Sequence, residues 1–141
     1  MKHIVPIQAL IKRINHKEWW HVQPQDLNAY QKRGKFYSSS FTEAEFYGRP
    51  GDSERVTVCR PLVGDETEIE VTLLGCCPSD GLDKLEGGMS VILARLELDA
   101  KLKEAAVTRG YDAIVLMTPK AWQAFLQTGK SPRSIALNVF I

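Results

Sequence analysis

The chain has 141 residues, the usual length of one domain with a buried core. Apolar residues make up 44% and charged residues 25%, which excludes a disordered chain, and a formal net charge of +1 excludes a strongly basic nucleic-acid footprint over the whole molecule. No apolar run approaches the roughly 20 residues that span a bilayer, so the expectation is a cytoplasmic α+β protein, residues 1–141 forming one compact domain without membrane contact.

At the start, Lys2 precedes a short apolar run, but Pro6 and Gln8 interrupt it and Lys12-Arg13 follows, unlike a secretory leader. Ile7, Leu10, Ile11 and Ile14 recur at helical spacing behind Pro6 and predict an amphipathic helix. Trp19 to Val22 reads as a short strand ended by Pro24, Asp26 to Arg33 as a helix stopped by Gly34, and Lys35 to Ser39 as a second strand. Thr42-Glu43-Ala44-Glu45 has the capping-box pattern of a brief helix carrying Ala44 and Tyr47, broken at Gly48-Arg49-Pro50-Gly51.

Arg55 to Arg60 alternates around Val56 and Val58 and predicts a strand. Asp65 to Leu74 fits two templates. Ile69, Val71 and Leu73 alternate like a strand, whereas Asp65 as cap and Gly75 as stop favour a helix, the preferred assignment. Cys76 to Gly88 is the most loop-like stretch. Val91 to Arg109 is the longest helical pattern, with Ile92, Leu96, Leu102, Ala105 and Ala106 on its apolar side. Ala113 to Met117 follows as a buried strand, Pro119 to Gly129 as a helix, and Ile135 to Ile141 as a closing strand.

Chemistry-bearing motifs are sparse. The chain lacks the common phosphate-loop, dinucleotide, serine-hydrolase and zinc-protease signatures. Cys59, Cys76 and Cys77 give neither a metal spacing nor an even disulfide set, which suits a reducing compartment. His3, His16 and His21 are too irregular for a metal site, so none is expected. Met1 to Lys35 carries seven basic against two acidic residues, and Phe36 to Gly75 three against eight. Such a basic opening suits either a solvated face or a phosphate backbone.

The informative words are Trp20-His21-Val22, then Gly34-Lys35-Phe36-Tyr37-Ser38-Ser39, then Glu43-Ala44-Glu45-Phe46-Tyr47-Gly48. In this order they resemble the nicotinamide-binding half of the ADP-ribosyltransferases, most closely the His-Tyr-Glu group that includes diphtheria toxin and the poly(ADP-ribose) polymerases. Arg109-Gly110-Tyr111-Asp112-Ala113-Ile114-Val115 and Ala136-Leu137-Asn138-Val139-Phe140 extend the likeness. The resemblance implies a split mixed β-sheet core with flanking helices and NAD as co-substrate. It further implies that His21 orients the ribose and that Val22 and Ser38 border the ligand. Tyr37 or its neighbour Phe36 would hold the nicotinamide ring from the strand, with Tyr47 stacking from the helix.

In the resemblance, the closing strand carries a catalytic glutamate, and here that position is Ala136. Cleavage of the nicotinamide glycosidic bond passes through an oxocarbenium-like state that a carboxylate stabilises, a contribution alanine cannot make. Three explanations stand: a natural pseudoenzyme, another acid such as Glu43 or Glu45 in its place, or deliberate replacement of a glutamate, which is the preferred one. The resemblance thus implies a toxin or modifying enzyme, inactive or weakened, acting on a macromolecular acceptor, protein or nucleic acid, and opposed by an antitoxin or immunity protein. The alternative is a non-enzymatic nucleotide- or protein-binding module of α+β fold, in which His21 and the aromatics are ordinary packing residues.

Overall fold

The computed structural model describes residues 4–24, 28–45, 48–85 and 87–140. Helix α1 (Ile4–Asn15) opens it. Pro6 lies in its first turn, where a missing N–H costs no hydrogen bond. Leu10 and Ile14 are buried on its inner face. Strand β1 is only Glu18–Trp19, shorter than the expected Trp19 to Val22. The reason lies in the backbone partners. Trp20 exchanges both its amide groups with Ser38 as a lone bridge, and the His21 carbonyl accepts from Gly51 N–H, so Val22 stands outside any strand.

Helix α2 (Ala29–Arg33) leads through Gly34 into β2 (Lys35–Ser38). Gly34 has φ of 90°, and a Cβ there would lie 2.1 Å from Asn138 Oδ1, so the crossing admits only glycine without strain. Helix α3 (Phe41–Glu45) starts two residues earlier than the capping box suggested, because the Ser40 hydroxyl, not Thr42, caps it and accepts from Glu43 N–H. Tyr47, expected on this helix, lies outside the described residues.

The expected strand Arg55 to Arg60 is corrected to β3 (Glu54–Arg55) alone. Val56 and Val58 are buried as the alternation required, but side chains take their ladder. Val58 N–H donates to Asn15 Oδ1 at 2.8 Å and its carbonyl accepts from Asn15 Nδ2 at 2.9 Å. The Asp112 carboxylate then accepts from Cys59 and Arg60 N–H at 2.7 and 2.9 Å. Strand β4 (Pro61–Gly64), unread in the sequence, follows at once.

Helix α4 (Glu66–Leu74) resolves the ambiguous stretch. Asp65 caps it, accepting from Glu68 N–H, and Gly75 closes it in the left-handed region at φ 75°. Ile69 and Leu73 are buried while Val71, between them, faces solvent, as 100° per residue dictates. The loop expected over Cys76 to Gly88 is largely a 3₁₀ helix, Pro78–Lys84, tied down by buried Glu70, whose carboxylate accepts from Ser79 N–H and Oγ at 2.8 and 2.5 Å. Helix α5 (Gly88–Thr108), strand β5 (Ala113–Leu116), helix α6 (Pro119–Thr128) and strand β6 (Ala136–Val139) complete the chain.

This is an α+β fold. Strands β1 and β3 form an antiparallel pair, and the larger sheet runs β2-β6-β5-β4, with β4 parallel to β5 and the other neighbours antiparallel. The register separates the residues into two faces. Tyr37, Leu137, Val115 and Val63 lie in one row across the strands and pack with α1 and α6 through Leu10, Ile14 and Phe125. Phe36, Asn138, Ile114 and Leu62 form the next row on the other face, which α4 and α5 cover with Ile69, Leu73, Leu98 and Leu102. Ser38, Ala136, Leu116 and Gly64 share that second face at the end of the sheet.

Candidate functional site

At that end of the sheet lies an open cleft of about 690 Å³. Its walls include Ser38, Thr42, Glu43, Glu66, Ser134 and Ala136. Strands β2, β4 and β5 all end here by their carboxyl termini, and helices α3, α4 and α6 start around the rim. Loops and helix starts beside strand carboxyl ends commonly carry binding groups. Glu43 is the best-held carboxylate. Its Oε2 accepts from Ser134 Oγ at 2.8 Å and from Ser39 Oγ at 3.1 Å, so two hydroxyls fix it beside Ala136. Glu66 is exposed on the opposite wall and pairs with Arg95 at 2.5 Å.

A small cavity of about 60 Å³ continues inward from Ala136. Phe36, Ile69, Leu102 and Ile114 make it mostly apolar, with Arg95, Asp99 and Asn138 as polar members. Burial raises the Asp99 carboxyl above the ordinary aspartate range, against the opposing pull of Arg95 at 3.3 Å. Asn138 Nδ2 donates to the Arg33 carbonyl at 2.7 Å, which fixes the amide orientation, and leaves its buried Oδ1 without a hydrogen-bond partner. Gly34 covers that oxygen.

His21 and Tyr37 belong to a different group on the other face. Their rings lie 5.5 Å apart, and Tyr30 stands 5.4 Å from His21 on the other side. His21 Nδ1–H donates to the Phe36 carbonyl at 2.8 Å, so Nε2 accepts from the Tyr30 hydroxyl at 2.6 Å, an assignment set by the carbonyl partner. Burial lowers the His21 pKa, the Phe36 carbonyl opposing and nearby Lys35 reinforcing it, so the ring is held neutral. Buried Tyr37 donates its hydroxyl to Glu54 Oε1 at 2.5 Å, and burial followed by that carboxylate raises the phenol pKa. Lys35, 2.6 Å from Glu54, is the main cause of the lowered Glu54 pKa.

The expected site residues therefore divide. Ser38 and Ala136 face each other in the cleft, and Phe36, which is 44% exposed, lies on the same face one row inward. His21 and Tyr37 face the α1 and α6 side and do not converge with Ala136. Val22 lies beside Gly48, where a Cβ would come within 3.0 Å of its Cγ1. Glu66 and Ser134 were not anticipated in the cleft. Ser134 was legible in principle, two residues from Ala136 in the same closing segment. Glu66 was not, since only the unforeseen strand β4 brings it there.

Several cations of the opening segment are engaged internally. Arg13 donates to Ser131 Oγ and the Pro132 carbonyl, Lys17 to the Ser39 carbonyl, and Lys35 pairs with Glu54. Among the described residues no helix is long and apolar enough to cross a membrane, and no cluster of metal-ligating side chains occurs. Comparison with family models, with curated proteins and with solved structures gives no match in any of the three.

Proposed function

We propose that the chain is an ADP-ribosyltransferase-like domain that takes NAD into the cleft beside Ala136, in a form weakened by the alanine, with a protein or nucleic acid as acceptor. One observation carries this reading: Ala136 pairs with Ser38 across β2 and β6 and lines the cleft mouth. A carboxylate at position 136 would hang between the Ser38 and Ser134 hydroxyls, where a ribose could be gripped and developing positive charge stabilised. Division of the strands into a two-stranded and a four-stranded group is also consistent with a split mixed sheet.

On this reading Phe36, not Tyr37, is the strand aromatic that meets the nicotinamide ring, because it shares the Ala136 face and is partly exposed. His21 and Tyr37 brace β2 from behind. Glu43 is the acid nearest in role to a missing glutamate, its Oε2 held by the Ser39 and Ser134 hydroxyls.

A second reading, a binding module without transfer, is favoured by the His21 ring, whose two nitrogens are both engaged within the protein. One experiment separates the two. NAD is titrated calorimetrically into the chain and into Ala136→Glu, and nicotinamide release is followed by chromatography. The transferase-like reading expects binding by both and release at least about 10²-fold faster from the glutamate variant. Binding by both with release by neither supports the module. Absence of NAD binding in both overturns the proposal.

A further inference from the structure

Helix α5 has two unlike halves. Its C-terminal half is an ordinary amphipathic helix, with Leu98, Leu102 and Ala106 buried and Glu97, Lys101 and Glu104 outside. The N-terminal half carries a further set of apolar side chains, interrupted by Ser90 and by Arg95, which turns to Glu66 and Asp99. Sequence periodicity placed Ile92 and Leu96 in the core, but the structure turns them to solvent together with Met89 and Leu93. Met89 is 68% exposed, Leu93 59% and Ile92 54%. At 100° per residue these four side chains centre roughly 170° round the helix from Leu98, so they form a second face rather than the margin of the first. A helix with two apolar faces is ordinarily covered on both.

The stripe is large for a bare surface. Its four side chains present on the order of 400 Å² of apolar surface, within the range of the largest patch a monomer leaves uncovered. Its polar margin, including Ser90 and Glu97, brings the patch toward the roughly 800 Å² that each partner contributes to a standard interface. Its spacing is also symmetric. Met89 and Leu96 lie equally far on either side of the midpoint between Ile92 and Leu93, so the stripe matches its own antiparallel image.

We propose that this stripe docks on the same stripe of a second copy of the chain, α5 antiparallel to α5, with a two-fold axis between Ile92 and Leu93. Met89 then meets Leu96 of the partner subunit, and Ile92 meets Leu93 of the partner subunit, an isologous contact in which every pairing occurs twice. Electrostatics agree with that direction. The first turn of α5 has neither an acidic residue nor a side-chain cap. Antiparallel pairing brings Glu97 of the partner subunit to the level of that turn, where unpaired N–H groups favour negative charge. This inference is independent of what the cleft binds.

The test is the mass of the purified chain by sedimentation equilibrium and light scattering across the micromolar range. The expected result is twice the 15.8 kDa of one chain. Leu93→Glu and, separately, Leu96→Glu are expected to raise the dissociation constant at least about 100-fold, as truncation or charging of a central interface anchor does. Both positions face solvent in the single chain, so circular dichroism of the variants is expected to stay unchanged. Val107→Glu, at an exposed apolar position on the far half of α5, is expected to leave the dimer intact. A mass of one chain at every concentration, or a dimer that survives both glutamates, overturns the proposal, as does a monomer that instead pairs with a different protein through this stripe.

Discussion

Tyr37 and Ala136 stand one register step apart on neighbouring strands, Tyr37 opposite Leu137 and Ser38 opposite Ala136, and their side chains leave opposite faces of the sheet. The hydroxyl of Tyr37 is spent on Glu54 at 2.5 Å, beneath Lys35. Tyr37 thus couples β2 to the short β3 pair from behind, while Ala136 looks into the cleft. Any role of Tyr37 toward a ligand in that cleft is indirect.

Tyr37→Phe is accordingly expected to act on stability. It removes one hydrogen bond to a carboxylate that keeps Lys35 as partner, so a loss of about 1 kcal/mol is expected in urea unfolding. NAD affinity, if the cleft binds NAD, should stay within about twofold. A large loss of affinity with unchanged stability would contradict the placement of Tyr37 behind the sheet.

The neutral His21 gives a pH dependence whose sign follows from linkage. Its folded pKa lies below the ordinary 6.5, so below that value the unfolded chain binds the proton more readily. The contribution of His21 is fully present above pH 6.5 and is lost as pH falls from there toward the folded value. Glu54, held below the ordinary 4.5 mainly by Lys35, weakens the fold only in a lower window, as pH falls through 4.5 and beyond. Urea midpoints measured at pH 7.5, 6.5 and 5.5 should therefore drop for the parent chain more than for His21→Asn. Parallel pH profiles for the two proteins would refute the assignment.

Gly34→Ala tests the crossing of α2 into β2. The added methyl meets a left-handed backbone at φ 90° and the Asn138 oxygen at 2.1 Å. Strain and displacement of a buried amide together are expected to cost about 2–4 kcal/mol, read as a lowered thermal midpoint. The measurement that checks the cause is backbone amide exchange at Arg33 and Val139, which should rise as β2 and β6 separate at this end.

Where local chemistry controls the chain, its structure was legible. Asp65 and Gly75 cap α4 as read, and Gly129 stops α6 with φ of 74°. Segments went wrong where long-range partners decide. Val56 and Val58 alternate like a strand, yet Asn15 and Asp112, 43 and 53 residues away from their partners, supply the hydrogen bonds instead of a neighbouring strand. Pro61–Gly64 was invisible because its four residues begin and end on turn-favouring types, and only pairing with β5 makes them a strand. Ile92 and Leu96 fit the helical period but keep 54% and 36% of their surface exposed among the described residues. In the cleft, the pairing of Ser38 with Ala136 depends on register, which no single segment encodes. One element of the site was available from the strand alone: neighbouring residues in a strand face opposite ways, so Phe36 and Tyr37 could not be interchangeable.

That alternation supplies a sharp test of the cleft. Phe36 shares the face of Ala136 and borders the small cavity beside it, with 44% of its surface open. A flat heteroaromatic ring entering past Ala136 would stack on it, an interaction between aromatic faces of about 1 kcal/mol. If the cleft binds NAD as proposed, Phe36→Ala should weaken that binding about 5- to 10-fold and leave the thermal midpoint nearly unchanged, because a half-exposed ring contributes little to the core. Phe36→Tyr should restore the affinity, since the ring face is retained and the added hydroxyl can reach solvent. Tyr37→Phe, its neighbour on the other face, supplies the internal control. Should Phe36→Ala bind NAD as tightly as the parent, the ring does not line the ligand's path and the nicotinamide does not enter beside Ala136.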